Sequence, residues 1–162
     1  MLESQTRELI KFVLNCIGKY EKEREDLIFG TISQESQRGK YKRQIGYDID
    51  SKGGAFGICQ IELATAKFIR DYCIRKNGFL SDNFFKFRNV NINLELDILS
   101  SDLLSIYMCF VYYWTKPESI PTREEFETED DYILALGKYW KKYWNSELGA
   151  GTPEEFLRNY KR

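Results

Sequence analysis

Apolar side chains recur along this chain at three- and four-residue steps, the period of a helix that buries one face. Leu9, Ile10, Val13, Leu14 and Ile17 set that rhythm over about residues 6–20. A second helix is predicted over 23–36, with Leu27, Ile28, Phe29 and Ile32 apolar and Gly39 just beyond as its terminator. The rhythm then stops. Residues 40–57 are rich in Gly, Asp, Ser and aromatic side chains, the composition of a loop or a small β-hairpin.

Helical spacing resumes over roughly 61–76 and is stopped by Asn77-Gly78. After a polar connector, 94–114 carries the strongest signal, with Leu99, Leu103, Ile106, Phe110 and Val111 in register. A segment apolar on most of its sides is expected at the centre of a domain. Pro117 and Pro121 close it, and an acidic stretch leads into another helix over about 130–144. The last helix, near 153–160, opens on Thr152-Pro-Glu-Glu155, which supplies a cap hydroxyl, a proline at the first position and a reciprocal Glu. The pattern predicts a mainly α, α+β domain of about five to seven helices around a central buried helix, with a small irregular or β-hairpin insertion. No repeat or long linker interrupts it, so residues 1–162 are read as one domain.

Composition narrows the chemistry. Hydrophobic residues make up 43% and aromatic residues 15%, enough for a packed core and against disorder. Most of the aromatic side chains are expected in that core, with some free to line a sugar-stacking groove. Lys and Arg number 24 against 25 Asp and Glu, so the broad basic field of a nucleic-acid binder is missing. Histidine is absent, which excludes Ser-His-Asp and Cys-His nucleophiles and paired-His zinc motifs. Proton transfer must then fall to Asp, Glu, Lys, Tyr or Cys.

Cys16, Cys59, Cys73 and Cys109 form no CxxC pair, so buried free thiols are expected rather than a metal site, and no cofactor is implied. Met1-Leu-Glu-Ser begins no charged-then-apolar leader, and the apolar run 103–114 is too short for a bilayer. The expectation is a soluble product without its own export signal or membrane insertion.

Leu27, Thr31 and Glu35 lie four residues apart, beside the row of Ile28 and Ile32. Glu35 therefore extends a core-facing stripe to the end of its helix, where the loop begins. A carboxyl group partly desolvated there would have a raised pKa and could serve as a proton donor. The alternative is a carboxylate bridged to a cation such as Arg38 or Arg43.

The residues around Glu35 carry a family pattern. Ile32-Ser-Gln-Glu-Ser36, then Gly39, then Gly53-Gly-Ala-Phe-Gly-Ile-Cys-Gln-Ile-Glu62, resembles the catalytic region of lytic transglycosylases and goose-type lysozymes. Those families carry a Glu-Ser pair at a helix end and, some twenty residues later, a Gly-hydrophobic-x-Gln turn. Glu35-Ser36 and Gly57-Ile-Cys-Gln60 match these elements, and Ala64-Thr-Ala66 is similar to the helix start after that turn. The match is close over residues 28–70. The families' late Ala-Tyr-Asn segment has two incomplete counterparts. Tyr139 is the preferred counterpart, aligning if Trp140 replaces the asparagine, with Tyr143 close behind, and both are expected to bind substrate; alternatively Asn145 keeps the asparagine and Trp144 replaces the tyrosine.

The resemblance implies a lysozyme-like fold and cleavage of the β-1,4 bond between N-acetylmuramic acid and N-acetylglucosamine in peptidoglycan. Glu35 would be the acid and then the base. The attacking group would be the sugar's own 6-hydroxyl, giving a 1,6-anhydro product, or water, giving hydrolysis. Gln60 would bind acetamido or hydroxyl groups, Ser36 would orient Glu35 or substrate, and Gly53, Gly54 and Gly57 would let backbone approach the saccharide. Phe56 would stack on a sugar or lie beneath the loop. Glu62 occupies the place of an acid after the Gln turn in goose-type sequences, and Asp48 and Asp50 fall where a second loop acid would. The glycan strand is the expected partner. A phage endolysin released through a holin-type pore, or a virion-associated enzyme, would suit so short a chain. A catalytically silent glycan-binding module, or a structural component of a phage particle or secretion machine, is the alternative.

Overall fold

The computed structural model describes residues 1–44, 53–89, 91–146 and 148–162. The described residues form eight α-helices and one two-stranded antiparallel sheet, a mainly helical fold. The helices are α1 (Glu3–Cys16), α2 (Lys22–Ser36), α3 (Leu63–Lys76), α4 (Phe79–Phe87), α5 (Leu94–Ser100), α6 (Asp102–Trp114), α7 (Glu129–Trp140) and α8 (Pro153–Lys161). Strands β1 (Ala55–Phe56) and β2 (Ile61–Glu62) pair Ala55 with Glu62 and Phe56 with Ile61. Among these residues no helix is long and apolar enough to cross a membrane.

Helix α6 is the expected central element: Leu104 to Val111 are all buried, and it packs against α1, α2, α3, α4 and α5. The predicted helix over 94–114 is broken, however. Ser101 takes an extended conformation, and its hydroxyl accepts from the Leu104 N–H at 3.1 Å, so it ends α5 and caps α6. The predicted polar connector contains α4, whose Leu80, Phe84 and Phe87 bury one face at helical spacing. These two differences raise the helix number above the expected range. The capping box at Thr152 and Glu155 forms as its residues dictate.

Helix α2 is held where α8 crosses it. A Cβ on Gly30 would lie 2.1 Å from the Phe156 ring, so only glycine lets the two backbones come this close. The helix ends at Ser36, as predicted, but its left-handed cap is Gln37 with φ 50°, followed by Arg38 at φ 57°, in place of Gly39. Ser36 offsets this unfavourable run. Its buried hydroxyl accepts from the Gly39 N–H at 2.9 Å and donates to the Ile58 carbonyl at 2.6 Å, tying the end of α2 to the hairpin.

Within the loop or hairpin predicted over 40–57, Arg43 bridges Phe56 in antiparallel fashion, with the Gly57 N–H donating to the Lys42 carbonyl at 2.8 Å and the Gln44 N–H to the Ala55 carbonyl at 3.2 Å, and a β1–β2 hairpin follows it. Its turn is Gly57-Ile-Cys-Gln60, with φ 73° at Gly57 and 50° at Gln60, so Ile61 and Glu62 are strand rather than the start of α3. At the other end of the chain, α7 passes into a π-helical turn over Lys141–Asn145. Such turns widen the helix and re-aim the side chains beyond them.

Candidate active site

Glu35 lies in the last turn of α2 and opens onto a groove of about 790 Å³. One bank is the hairpin, with Gln60, Ile61 and Glu62. The other is Trp144 and Asn145 from the π-helical turn, with Ser146 at its C-terminal end. Tyr112 of α6 also lines the groove. Amides recur around it, from Gln34, Gln37, Gln44, Gln60 and Asn145, alongside the rings of Tyr41, Tyr112 and Trp144.

The carboxyl group has one hydrogen-bond donor among the described residues. The buried indole of Trp140 donates its Nε1–H to Glu35 Oε1 at 3.0 Å. No described cation pairs with Glu35, so the bridge to Arg38 or Arg43 considered from the sequence does not form among these residues. The indole is fixed from behind by the Phe156 ring, 5.6 Å away between centroids. Gly151 closes on its edge: a Cβ there would sit 2.5 Å from Trp140 Cη2.

Burial pushes the Glu35 carboxyl up to about 7, and the indole hydrogen bond, which favours the anion, offsets part of that rise. Its titratable neighbours in the interior supply no positive charge. Burial drives the Cys109 thiol and the Tyr113 hydroxyl well above their ordinary values, and the charge of Glu35 adds to both shifts. Both groups therefore stay neutral beside it. The C-terminal end of a helix also disfavours an anion. A carboxyl group in this setting can hold its proton near neutral pH and release it to a basic oxygen in the groove.

The remaining predicted residues separate into two groups. Glu62 is exposed and lines the groove with Glu35. Gln60 also lines it, but its Nε2 already donates to the Tyr41 and Gly57 carbonyls at 3.0 and 2.9 Å, leaving the amide oxygen for a ligand. Asp48 and Asp50 lie outside the described residues.

The others turn away. Ser36 is fully buried and spends its hydroxyl on backbone, so it shapes the loop instead of touching substrate. Gly57 packs inward, where a Cβ would meet the Ile98 carbonyl and Ser105 Oγ, both at 2.7 Å. Phe56 is 5% exposed and lies under the Arg43 guanidinium, 4.0 Å from its centroid, which favours burial beneath the loop over stacking on a sugar. Tyr139 donates its hydroxyl to the Glu118 carbonyl at 2.9 Å and lines a different cavity. Tyr143 packs on Tyr139 and is not part of the groove wall.

The preferred Tyr139 and Tyr143 are thus absent from the groove wall, and Trp144 and Asn145, the alternative counterparts, line it. Trp140 and Tyr112 were not singled out as site residues from the sequence. Trp140 and Trp144 stand four residues apart on a predicted helix, a spacing that could have marked both. Tyr112 is hidden within an apolar run and gave no such signal.

No protein-family model, curated protein or solved structure matches this chain.

Proposed function

We propose that this chain has a lysozyme-like fold and cleaves the β-1,4 bond between N-acetylmuramic acid and N-acetylglucosamine in bacterial peptidoglycan. The observation that carries the reading is the Glu35 carboxyl group, held up to about 7 by burial and facing a groove of about 790 Å³. Amides and aromatic rings along that groove suit N-acetylated sugars, which need hydrogen bonds at the acetamido group and flat apolar contact at the ring.

In the first step the Glu35 carboxyl gives its proton to the glycosidic oxygen as the bond to C1 of the muramic residue breaks. The 2-acetamido oxygen closes onto C1 and spreads the positive charge. The Glu35 carboxylate then takes a proton from the attacking hydroxyl. If that hydroxyl is the sugar's own 6-OH, the product is a 1,6-anhydro ring; if it is water, the product is a reducing end. Glu62, an exposed acid along the groove, would orient that water. Trp140 keeps Oε1 occupied, which leaves the second carboxyl oxygen for substrate. The reading extends to a phage setting, as an endolysin or a virion-associated enzyme.

Digestion of purified peptidoglycan followed by mass spectrometry tests this directly. Soluble fragments are expected, with anhydromuramyl ends about one water lighter if the 6-hydroxyl attacks. Intact strands after prolonged incubation with the wild-type protein would remove the proposal.

A further inference from the structure

The amides along the Glu35 groove are not interchangeable, because contacts within the protein already occupy one end of several of them. Gln34 Oε1 accepts from Asn159 Nδ2 at 2.7 Å, and Gln44 Oε1 accepts from the Ala55 N–H at 3.0 Å. Gln60 is the reverse, with its nitrogen held and its oxygen left for a ligand. Asn145 is set by a charged side chain from outside the groove wall. Lys141 Nζ donates to Asn145 Oδ1 at 2.8 Å and to the Gly149 carbonyl at 2.5 Å.

Lys141 begins the π-helical turn and Asn145 ends it. Ser146 follows in the left-handed region at φ 66°, and its carbonyl accepts from the Gly149 N–H at 3.3 Å, a turn that returns Gly149 to the amide. A Cβ on Gly149 would lie 2.2 Å from Asn145 Oδ1 and 2.3 Å from the Asn145 carbonyl oxygen, so glycine alone allows this approach. No described carboxylate pairs with Lys141. An ammonium group can only donate, so it settles which way the amide lies. The oxygen faces Lys141, and both protons of Nδ2 are unclaimed among the described residues. A charge-assisted bond at the oxygen also polarises the amide and strengthens its N–H groups as donors.

We propose that Lys141 is a positioning residue for substrate recognition: it holds half-buried Asn145 so that Nδ2 donates, across the groove wall, to the carbonyl oxygen of an acyl group on the ligand. An amide free to turn over pairs with a hydroxyl through either end, but with an acyl oxygen through its nitrogen only. Fixing the nitrogen toward the ligand therefore favours acylated over hydroxylated sugars. That the acyl group is the 2-acetamido group of a glycan strand rests on the function proposed above; the donor polarity of Asn145 rests on the clamp.

The test compares tri-N-acetylchitotriose with cellotriose by titration calorimetry. The two neutral sugars share the β-1,4 backbone and differ in carrying a 2-acetamido or a 2-hydroxyl group. Wild type is expected to favour the acetamido sugar at least about tenfold, and Lys141→Met should lose most of that preference while its affinity for cellotriose stays within about twofold. Lys141→Arg, which still donates, should keep the preference. Asn145→Asp offers Lys141 an oxygen but has no N–H for the ligand, so it should lose the preference as Lys141→Met does, and it carries the test should Lys141→Met fail to fold. A wild type without the preference overturns the proposal. So does a Lys141→Met variant that keeps the preference, or one that weakens both sugars alike, as a merely structural role would. Peptidoglycan digestion with the same proteins separates this inference from the function beneath it. An acetamido preference governed by Lys141 in a wild type that cleaves no glycan leaves the clamp and removes the function; cleavage with a preference indifferent to Lys141 does the reverse.

Discussion

At the N-terminal end of α2, Glu25 and Asp26 are 1% and 3% exposed and surrounded by compensation. Arg7 Nη1 lies 2.9 Å from Glu25 and 3.0 Å from Asp26, Lys22 reaches Asp26 at 2.6 Å, and the hydroxyls of Tyr20, Tyr160 and Tyr132 donate to the same pair. At the C-terminal end of the same helix, Glu35 has a single described donor, the neutral Trp140 indole. The helix dipole sharpens the contrast, since it favours anions at the first end and opposes them at the second. One helix thus carries carboxylates of two kinds. The paired ones clamp α1, α2 and α8 together; the unpaired one is left with a proton to give.

The largest expected effect separates the two ends by activity. Glu35→Gln keeps the shape and removes the transferable proton, so cleavage of purified peptidoglycan should fall by a factor on the order of 10²–10⁴. A variant that kept most of its turnover would move the acid elsewhere. Arg7→Met acts on the other end. It should cost up to about 3–5 kcal/mol in a urea titration, because two buried carboxylates lose the more buried of the two cations they share and keep only Lys22. A loss well under 1 kcal/mol would show that the cluster is not the clamp described above.

The third prediction is the reverse of the second. The folded Glu35 carboxyl is raised from an ordinary 4.5 to about 7, so its contribution to stability is fully present below about 4.5 and lost as pH rises through about 7. Glu35→Gln should therefore be more stable than wild type at pH 8, by at most about 3 kcal/mol and less where solvent in the groove screens the charge, with no gain at pH 4. Stability curves of the two proteins that run parallel over this range would mean that Glu35 is not desolvated. The smallest effect belongs to Trp140→Phe. Without the indole N–H the anion loses its donor, so the alkaline limb of the cleavage profile should move upward, by up to about one pH unit. A downward move would contradict the role given to that hydrogen bond.

Much of the frame was legible in the sequence where one physical signal acted alone. The periodicity of α1, α2 and α6 marked helices that bury one face, and Thr152-Pro-Glu-Glu155 marked the start of α8. Glu35 continued an apolar stripe, which alone left a bridged carboxylate open; the Glu35-Ser36 and Gly57-Ile-Cys-Gln60 motifs singled it out. The misses came where local chemistry competed with periodicity. Ser101 took backbone hydrogen bonds that an unbroken helix would have used, and α4 was masked by the polar residues between its three buried anchors. Tyr139 was preferred over Trp144, yet it lines another cavity and Trp144 lines the groove, because the phase of a helix decides which side chain faces it. The π-helical turn alters that phase with no signature in the sequence. The inward roles of Ser36 and Gly57 depend on contacts with Ile58, Ile98 and Ser105, residues too distant in the chain for any local reading.

The bond from Ser36 to Ile58 has a mechanical corollary. With Ser105 Oγ accepting the Cys59 N–H at 3.2 Å, it bolts the hairpin to α2 and α6, so Glu35, Gln60 and Glu62 form a stiff bank. The facing bank of Trp144, Asn145 and Ser146 is tied to α6 in its turn, where the Tyr112 hydroxyl donates to the Tyr143 carbonyl at 2.7 Å. Both banks thus hang from α6, and the distance from Glu35 to the hairpin would stay constant from one ligand to the next.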